Sequence, residues 1–254
     1  MNRRNFLNLT AAGIATSVFG LTPEAQAAMS PKIKAVAFDA FTTFDPRPVF
    51  ALANKFFPGK GAELSNVWRI RQFEYQWLRA LSGRYADFWQ ATEAALVFAA
   101  NLLKLDLPAD KRQQLMQAYL ELQAWPDAAP ALRSLKDMGV RLALLSNATP
   151  GMLEAWVRNS GLESMYEHML STNAIRTYKP DPRAYQMGVD AFGLSLEEIA
   201  FAAFGGWDVA GAKWFGYTTF WVNRLGLPVE ELGVAPDGVG RSLADLVPFI
   251  EAKR

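Results

Sequence analysis

The chain has 254 residues, 51% of them hydrophobic and 20% charged, which is enough apolar material for a full globular core. Lys and Arg number 26 against 25 Asp and Glu, and this balance leaves no basic stripe for nucleic acid or for an anionic membrane surface. With no cysteine, thiol chemistry is excluded. The single histidine, His168, is best interpreted as structural and leaves almost no material for a Ser-His-Asp triad or a multi-histidine metal site, so we expect a small-molecule substrate and carboxylate, hydroxyl or lysine chemistry.

The first 27 residues have the pattern of an export signal. Arg3-Arg4 precede a mildly apolar stretch, and Ala25-Gln26-Ala27 has the small residues of a cleavage site. The apolar stretch is about 15 residues long, short of the roughly 20 that a membrane-spanning helix needs. We expect twin-arginine export, cleavage near Ala27, no membrane anchor after cleavage and a periplasmic product.

From residue 33 onward, short apolar runs alternate with amphipathic stretches. The runs typical of buried strands are residues 33–38, 140–147, 168–172, 199–204 and 218–223. Glycines stand where the intervening helices would end, namely Gly139, Gly161, Gly193 and Gly216. This alternation predicts an α/β fold with a doubly wound, parallel, Rossmann-like sheet.

The segment 47–122 differs, because it has helical patterns and no convincing strand. Apolar side chains such as Leu64, Trp68 and Tyr75 recur there at helical spacing. We interpret the segment as a helical cap subdomain inserted into a core of residues 28–46 and 123–254. Ligands bind at the carboxyl ends of strands in such sheets, so the cap would roof the site.

Asp39 follows the first apolar run, an unusual place for a carboxylate because an unpaired buried charge is costly. Taken alone, it is best interpreted as a turn cap. Other polar residues, however, follow the later strands in a fixed order. Together, Asp39 with Thr43, Ser146-Asn147, Lys179 and Asp208 resemble the four motifs of the haloacid dehalogenase (HAD) superfamily. The resemblance covers essentially the whole chain after residue 27.

The residue at position 41 distinguishes the phosphatases of that superfamily from its dehalogenases. Its phosphatases carry a second Asp two residues after the nucleophile as a proton donor and use Mg²⁺, whereas Phe41 can neither donate a proton nor bind a metal. A halide leaves without either. The segment around Trp68-Arg69 and Glu74-Tyr75 resembles the cap of type II (S)-2-haloacid dehalogenases, also called L-2-haloacid dehalogenases. The resemblance therefore implies a dehalogenase with no cofactor and no metal.

The resemblance also implies a division of roles. Asp39 would attack a short (S)-2-haloalkanoic acid, or a haloacetate, to form an aspartyl ester and release halide. Lys179 and Thr43 would orient Asp39, and Ser146 would hold the substrate carboxylate. Arg69 would receive the halide, and Asp208 would activate the water that hydrolyses the ester. The residues expected to line the substrate site are Phe41, Ile70, Phe73, Phe88, Asn147, Tyr185 and Trp207.

Some positions depart from the family pattern. Ala203 and Gly205 replace a serine and an asparagine that support ester hydrolysis, and Thr42 replaces a usual glycine, where a positive φ would carry strain. Two alternatives stay open: a HAD-fold phosphatase, and a catalytically impaired binder of small carboxylates. Because related dehalogenases are often dimers, a homodimer is a further expectation.

Overall fold

The structure is a computed structural model that describes residues 32–254, and these residues form one compact unit. The expected export signal and its cleavage site lie outside the described residues. Within the part of the chain that the structure describes, no helix is both long enough and apolar enough to cross a bilayer.

Strands and helices alternate along the chain. The strands are β1 (Ala35–Phe38), β2 (Arg141–Ser146), β3 (His168–Ser171), β4 (Ile199–Ala203), β5 (Thr218–Val222) and β6 (Gly238–Gly240). The first helices are α1 (Ala40–Thr43), α2 (Arg47–Phe56), α3 (Gly61–Leu81), α4 (Phe88–Leu102) and α5 (Ala109–Leu120). The later ones are α6 (Ala128–Asp137), α7 (Pro150–Asn159), α8 (Pro182–Phe192), α9 (Gly206–Phe215) and α10 (Leu246–Glu251).

The six strands form one parallel sheet in the order β3-β2-β1-β4-β5-β6. The predicted α/β fold is confirmed, and the five predicted strands agree with β1 to β5 within two residues at each end. The sequence analysis missed β6, because three residues of Gly-Val-Gly are too short to show a periodic pattern. The chain turns from one side of β1 to the other after β3, so the loops that follow β1, β2 and β4 meet at one edge.

Both faces of β1 are covered. Val36 and Phe38 belong to one buried apolar cluster, and Ala35 and Ala37 belong to a second. Side chains alternate between the faces of a strand, so the two clusters lie on opposite sides of the sheet. This double burial explains why β1 is apolar throughout and why its end can place a group inside the molecule.

The region between β1 and α6 is helical. Its four longer helices, α2 to α5, occupy residues 47–120, and the sheet contains no strand from this region. The segments that enter and leave it are joined, since Phe44 pairs with Ala124 in an antiparallel bridge and Trp125 N–H donates to the Thr43 carbonyl at 2.8 Å. The helical content agrees with the predicted cap, and the boundaries 47–122 stay a prediction.

Candidate active site

Asp39 lies immediately after β1, and hydrogen bonds hold both its backbone and its carboxylate. Its backbone N–H donates to the Ala202 carbonyl of β4 at 2.9 Å, which holds the residue against the sheet. One carboxylate oxygen accepts from Phe41 N–H at 3.1 Å as the N-cap of α1. The other accepts from Lys179 Nζ at 2.8 Å. Asp39 is therefore a turn cap and also part of a buried charge cluster.

Lys179 bridges Asp39 and Asp208. Its ammonium also donates to Asp208 Oδ2 at 2.6 Å, and Lys179 and Asp208 are each only 1% exposed. Burial disfavours the ammonium, but the two carboxylates outweigh that effect and raise the pKa of Lys179. In residues 32–254, no group of three or more His, Asp or Glu side chains is arranged to hold a metal ion.

The carboxyl group of Asp208 has a raised pKa. Burial raises the pKa of its carboxyl to about 6, with Lys179 opposing the rise and Asp39 adding to it. The Tyr185 hydroxyl donates to Asp208 Oδ1 at 2.7 Å and favours the carboxylate. The Tyr185 ring is fully buried and packs against Phe201 in the core, and its predicted place in the lining of the substrate site stays a prediction.

The Thr43 hydroxyl does not form a hydrogen bond with the Asp39 carboxylate. Its hydroxyl shares a hydrogen bond of 2.8 Å with Tyr166, whereas the neighbouring Thr42 hydroxyl donates to the Asp39 carbonyl at 2.7 Å. The expected bond from Thr43 to the carboxylate is therefore absent. The strain considered at Thr42 is absent too, because this residue lies in the right-handed helix α1.

The residues after β2 join the cap to the core. Ser146 Oγ accepts from Ala148 N–H at 3.1 Å and stays buried at the strand end. Asn147 Oδ1 accepts from Lys179 N–H at 2.9 Å, and its Nδ2 donates to Gln76 Oε1 at 3.0 Å. Asn147 thus links α3 to the segment that carries Lys179.

Gln76 was missed by the sequence analysis. It is completely buried, and its Nε2 has no hydrogen-bond partner among the described residues. A polar residue within an amphipathic helix is ordinarily assigned to the solvent face, so the pattern offered no signal. Only the facing position of Asn147 explains its burial.

A cavity of about 430 Å³ is lined by neighbours of the charge cluster, although Asp39, Lys179 and Asp208 do not line it themselves. Phe41, whose N–H bonds Asp39, and Trp207, which precedes Asp208, both line it. The predicted lining residues Ile70 and Phe73 of α3 also line it, as does Arg69 of the same helix, which was predicted to receive the halide. Phe88 is buried and does not line this cavity, and its predicted contact with substrate stays a prediction.

Gly205 determines where Trp207 stands. A Cβ at position 205 would lie 2.7 Å from Trp207 Nε1, so the ring occupies space that any larger residue would need. From there Trp207 meets Phe73 at 5.2 Å and Trp77 at 5.7 Å between ring centroids. The absence of a side chain at Gly205 therefore allows an aromatic wall between core and cap.

Comparison with protein families gives a match over residues 20–216 to the haloacid dehalogenase-like hydrolases. The chain is 44% identical to the haloacetate dehalogenase H-2 of Moraxella sp. (strain B), covering 81% of this chain and 92% of that protein. It is 43% identical to the (S)-2-haloacid dehalogenase of Pseudomonas sp. (strain YL), covering 86% and 95%.

A solved structure of similar fold is the L-2-haloacid dehalogenase from Xanthobacter autotrophicus with chloropropionic acid covalently bound. It superposes with a TM-score of 0.77 at 36% identity, covering 86% of this chain and 98% of that one. The fold is thus shared with a solved haloacid dehalogenase.

Proposed function

This chain belongs to the haloacid dehalogenase-like hydrolase family, and from that membership we propose that it hydrolyses (S)-2-haloacids to (R)-2-hydroxy acids and halide. Haloacetates are included, since a haloacetate dehalogenase is 44% identical to the chain. The observation that carries the proposal is the buried cluster in which Lys179 Nζ binds both Asp39 and Asp208. It places the Asp39 carboxylate, at the end of β1, beside an ammonium that also binds a second carboxyl of raised pKa, that of Asp208.

In the first step, an Asp39 carboxylate oxygen attacks the α-carbon from the face opposite the halogen. The new C–O bond forms as the carbon–halogen bond breaks, the halide leaves with the bonding electrons, and the configuration inverts. Hydrogen bonds from Lys179 and from the Phe41 N–H orient the carboxylate. The substrate carboxylate would be held near Ser146 at the end of β2.

Arg69 is the group best suited to receive the halide. It lines the cavity and forms no ion pair among residues 32–254, whereas Arg47, which also lines the cavity, binds Asp45 at 2.7 Å. A guanidinium without a carboxylate partner is free to stabilise the charge that develops on the leaving halogen.

In the second step, water attacks the carbonyl carbon of the aspartyl ester. Asp208 accepts one proton from that water and passes it to the departing substrate oxygen as the bond from that oxygen to the ester carbonyl carbon breaks, which gives the hydroxy acid; the second proton of the water goes to solvent, and Asp39 returns to its carboxylate form. Tyr185 holds Asp208 from behind through its hydroxyl. Because Ala203 and Gly205 bring no polar side chain, the work of this step falls on Asp208 and its partners.

The phosphatase alternative is disfavoured by Phe41. Its ring packs against Trp156 and Phe204, with centroids at 5.6 and 6.1 Å, and offers no proton to a leaving alkoxide. The second alternative, an impaired binder of small carboxylates, differs from the proposal only in the rate of the second step.

The first test follows halide release from each enantiomer of 2-chloropropionate with EDTA present. We expect turnover of the (S)-acid to (R)-lactate by the chain and loss of more than 1,000-fold in kcat in Asp39→Asn, which removes the nucleophile. One equivalent of halide with no further turnover would identify the impaired binder. Halide from neither enantiomer, with Mg²⁺-dependent phosphate release from aryl phosphates, would contradict the proposal.

We propose further that residues 1–27 direct export by the twin-arginine route and that the product is periplasmic. The Arg3-Arg4 pair and the small residues before position 28 support this. Replacing Arg3 and Arg4 by Lys should leave the full-length precursor in the cytoplasm, as seen by fractionation and mass spectrometry.

A homodimer is the proposed assembly. Exposed leucines on the helical region support it, because Leu78 and Leu81 of α3 and Leu102 of α4 are 60%, 88% and 56% exposed. Sedimentation should give a dimer mass, and Leu81→Glu should shift it to the monomer. A monomer mass for the unaltered chain at working concentrations would contradict this proposal.

A further inference from the structure

The cavity beside Asp39 is larger than a short haloacid requires. Its volume of about 430 Å³ falls within the range of roughly 300–1,000 Å³ found for pockets that enclose drug-sized ligands. A two- or three-carbon acid would leave most of this space to water against apolar walls. A short acid therefore gains less binding free energy than a longer one that would cover those apolar walls and displace the water.

The walls nearest Asp39 are aromatic. Phe41 and Phe204 meet with ring centroids 6.1 Å apart on the core side, and Trp207 meets Phe73 at 5.2 Å on the cap side. All four line the cavity. A substrate carbon chain that extends away from the α-carbon would therefore contact aromatic faces from its first methylene.

The mouth of the cavity is apolar as well. Leu225 and Leu227 line it from the loop after β5 and are 47% and 50% exposed, and Ile70 lines it from α3 at 56%. Asn223 holds the loop in place, because its Oδ1 accepts from Leu227 N–H at 2.9 Å and its Nδ2 donates to the Leu227 carbonyl at 2.8 Å. The apolar mouth is thus preformed.

Few polar side chains of the cavity wall are available to bind a second polar group at the far end of a substrate. Gln72 is already hydrogen-bonded to Thr92, and Arg47 to Asp45. Glu230 lines the cavity with a negative charge that would repel another carboxylate. Arg69 is the cation without such a partner in the described chain, and the proposed reaction uses it for the halide.

We infer that this site takes (S)-2-haloacids with a long, uncharged apolar tail, such as 2-bromohexanoate, in preference to short ones. The inference rests on the proposed dehalogenation. The carboxylate and the halogen stay beside Asp39, and the tail runs past Trp207 to Leu227 at the mouth.

The test measures kcat/KM for the (S)-enantiomers of 2-bromopropionate, 2-bromobutanoate, 2-bromohexanoate and 2-bromosuccinate with the full chain. Each methylene buried in the cavity should raise kcat/KM about fourfold, mainly through a lower KM. We expect 2-bromohexanoate to exceed 2-bromopropionate at least tenfold and 2-bromosuccinate to fall below 2-bromobutanoate.

A matched pair of variants tests whether the tail lies at the mouth. Leu227→Ser should lower the ratio of kcat/KM for 2-bromohexanoate to that for 2-bromopropionate about threefold or more, since it removes apolar surface at the tail end. Leu232→Ser alters a leucine of the same loop that is 43% exposed and does not line the cavity, so it should leave the ratio unchanged.

Failure of the inference differs from failure of the proposed function. Turnover of 2-bromopropionate with equal or lower kcat/KM for 2-bromohexanoate would overturn the tail site and leave the dehalogenase standing. No halide from any of the four acids would overturn both. If the ratio falls equally in Leu227→Ser and Leu232→Ser, the tail does not lie along Leu227.

Discussion

At the scale of single residues, the site is organised around Lys179, whose ammonium forms an ion pair with Asp39 and another with Asp208. Lys179 is almost fully buried and binds a carboxylate on each side, so a single positive charge opposes two negative ones. Two carboxylates near one cation do not hold their protons equally. Burial raises the pKa of Asp208 to about 6, which suits a base that must gain and lose a proton near neutral pH.

The pH dependence of turnover follows from that shift. A general base works in its deprotonated form, so kcat should fall as the pH drops through about 6. Tyr185→Phe removes a hydrogen bond that favours the Asp208 carboxylate, which raises the pKa of that group. The acidic limb of kcat should therefore move to higher pH by roughly one unit, as measured by initial rates from pH 4.5 to 8.

The control for that experiment is Tyr217→Phe. Tyr217 is also buried, but its hydroxyl donates to the Tyr185 carbonyl at 2.8 Å and does not reach Asp208. The acidic limb should stay in place in this variant. A limb that moves equally in both variants, or in neither, would show that Asp208 does not set it.

At the scale of the elements, α3 is the helix that joins cap to core. Gln76 accepts from Asn147, and the Trp77 indole N–H donates to the Lys179 carbonyl at 3.1 Å. One contact is to Lys179 itself, and the other is to Asn147, which accepts from the Lys179 N–H. A shift of α3 would therefore move the backbone of Lys179.

Gln76→Met tests that link, because methionine keeps the side-chain length and removes the acceptor for Asn147. The free energy of unfolding should fall by about 1–3 kcal/mol, since a buried amide donor loses its partner, and kcat/KM should fall with it. Urea denaturation and initial rates measure the two effects. Gln117→Met, on the exposed face of α5, should change neither. Full stability in Gln76→Met would rule out a role for this contact.

At the scale of the whole molecule, Arg224 connects segments that are far apart in sequence. Its guanidinium binds both Asp127 oxygens at 2.9 Å, donates to the Thr42 carbonyl at 2.8 Å and lies 4.4 Å from the Trp125 ring centre. Asp127 Oδ2 also accepts from Leu243 N–H at 2.7 Å. The turn after Asp39, the return from the cap and the C-terminal region thus meet at one side chain.

Arg224→Met should lower the free energy of unfolding by about 2–3 kcal/mol, because the Asp127 carboxylate loses its charged partner in a largely buried place. Arg183→Met removes a similar arginine from Asp181 at an exposed position and should have little effect on stability. Urea titrations of both variants make the comparison. Equal losses of stability would mean that burial of Arg224 contributes nothing.

The sequence by itself determined the fold class and the five longer strands. These follow from local signals, namely the spacing of apolar residues and the glycines at helix ends. Asp39, Lys179 and Asp208 were predicted together because their order in the chain resembles the motifs of the HAD superfamily, and the structure joins them in one cluster of ion pairs.

Only the tertiary structure decided which side chains meet. Thr43 bonds Tyr166, 123 positions away, Tyr185 supports Asp208 from the core, and the buried Gln76 faces Asn147. Leu225 and Leu227 reach the cavity from a loop without any motif. Such partners depend on how separate elements pack and not on the pattern within any one of them. A local pattern limits which face a residue occupies, whereas packing selects its contacts.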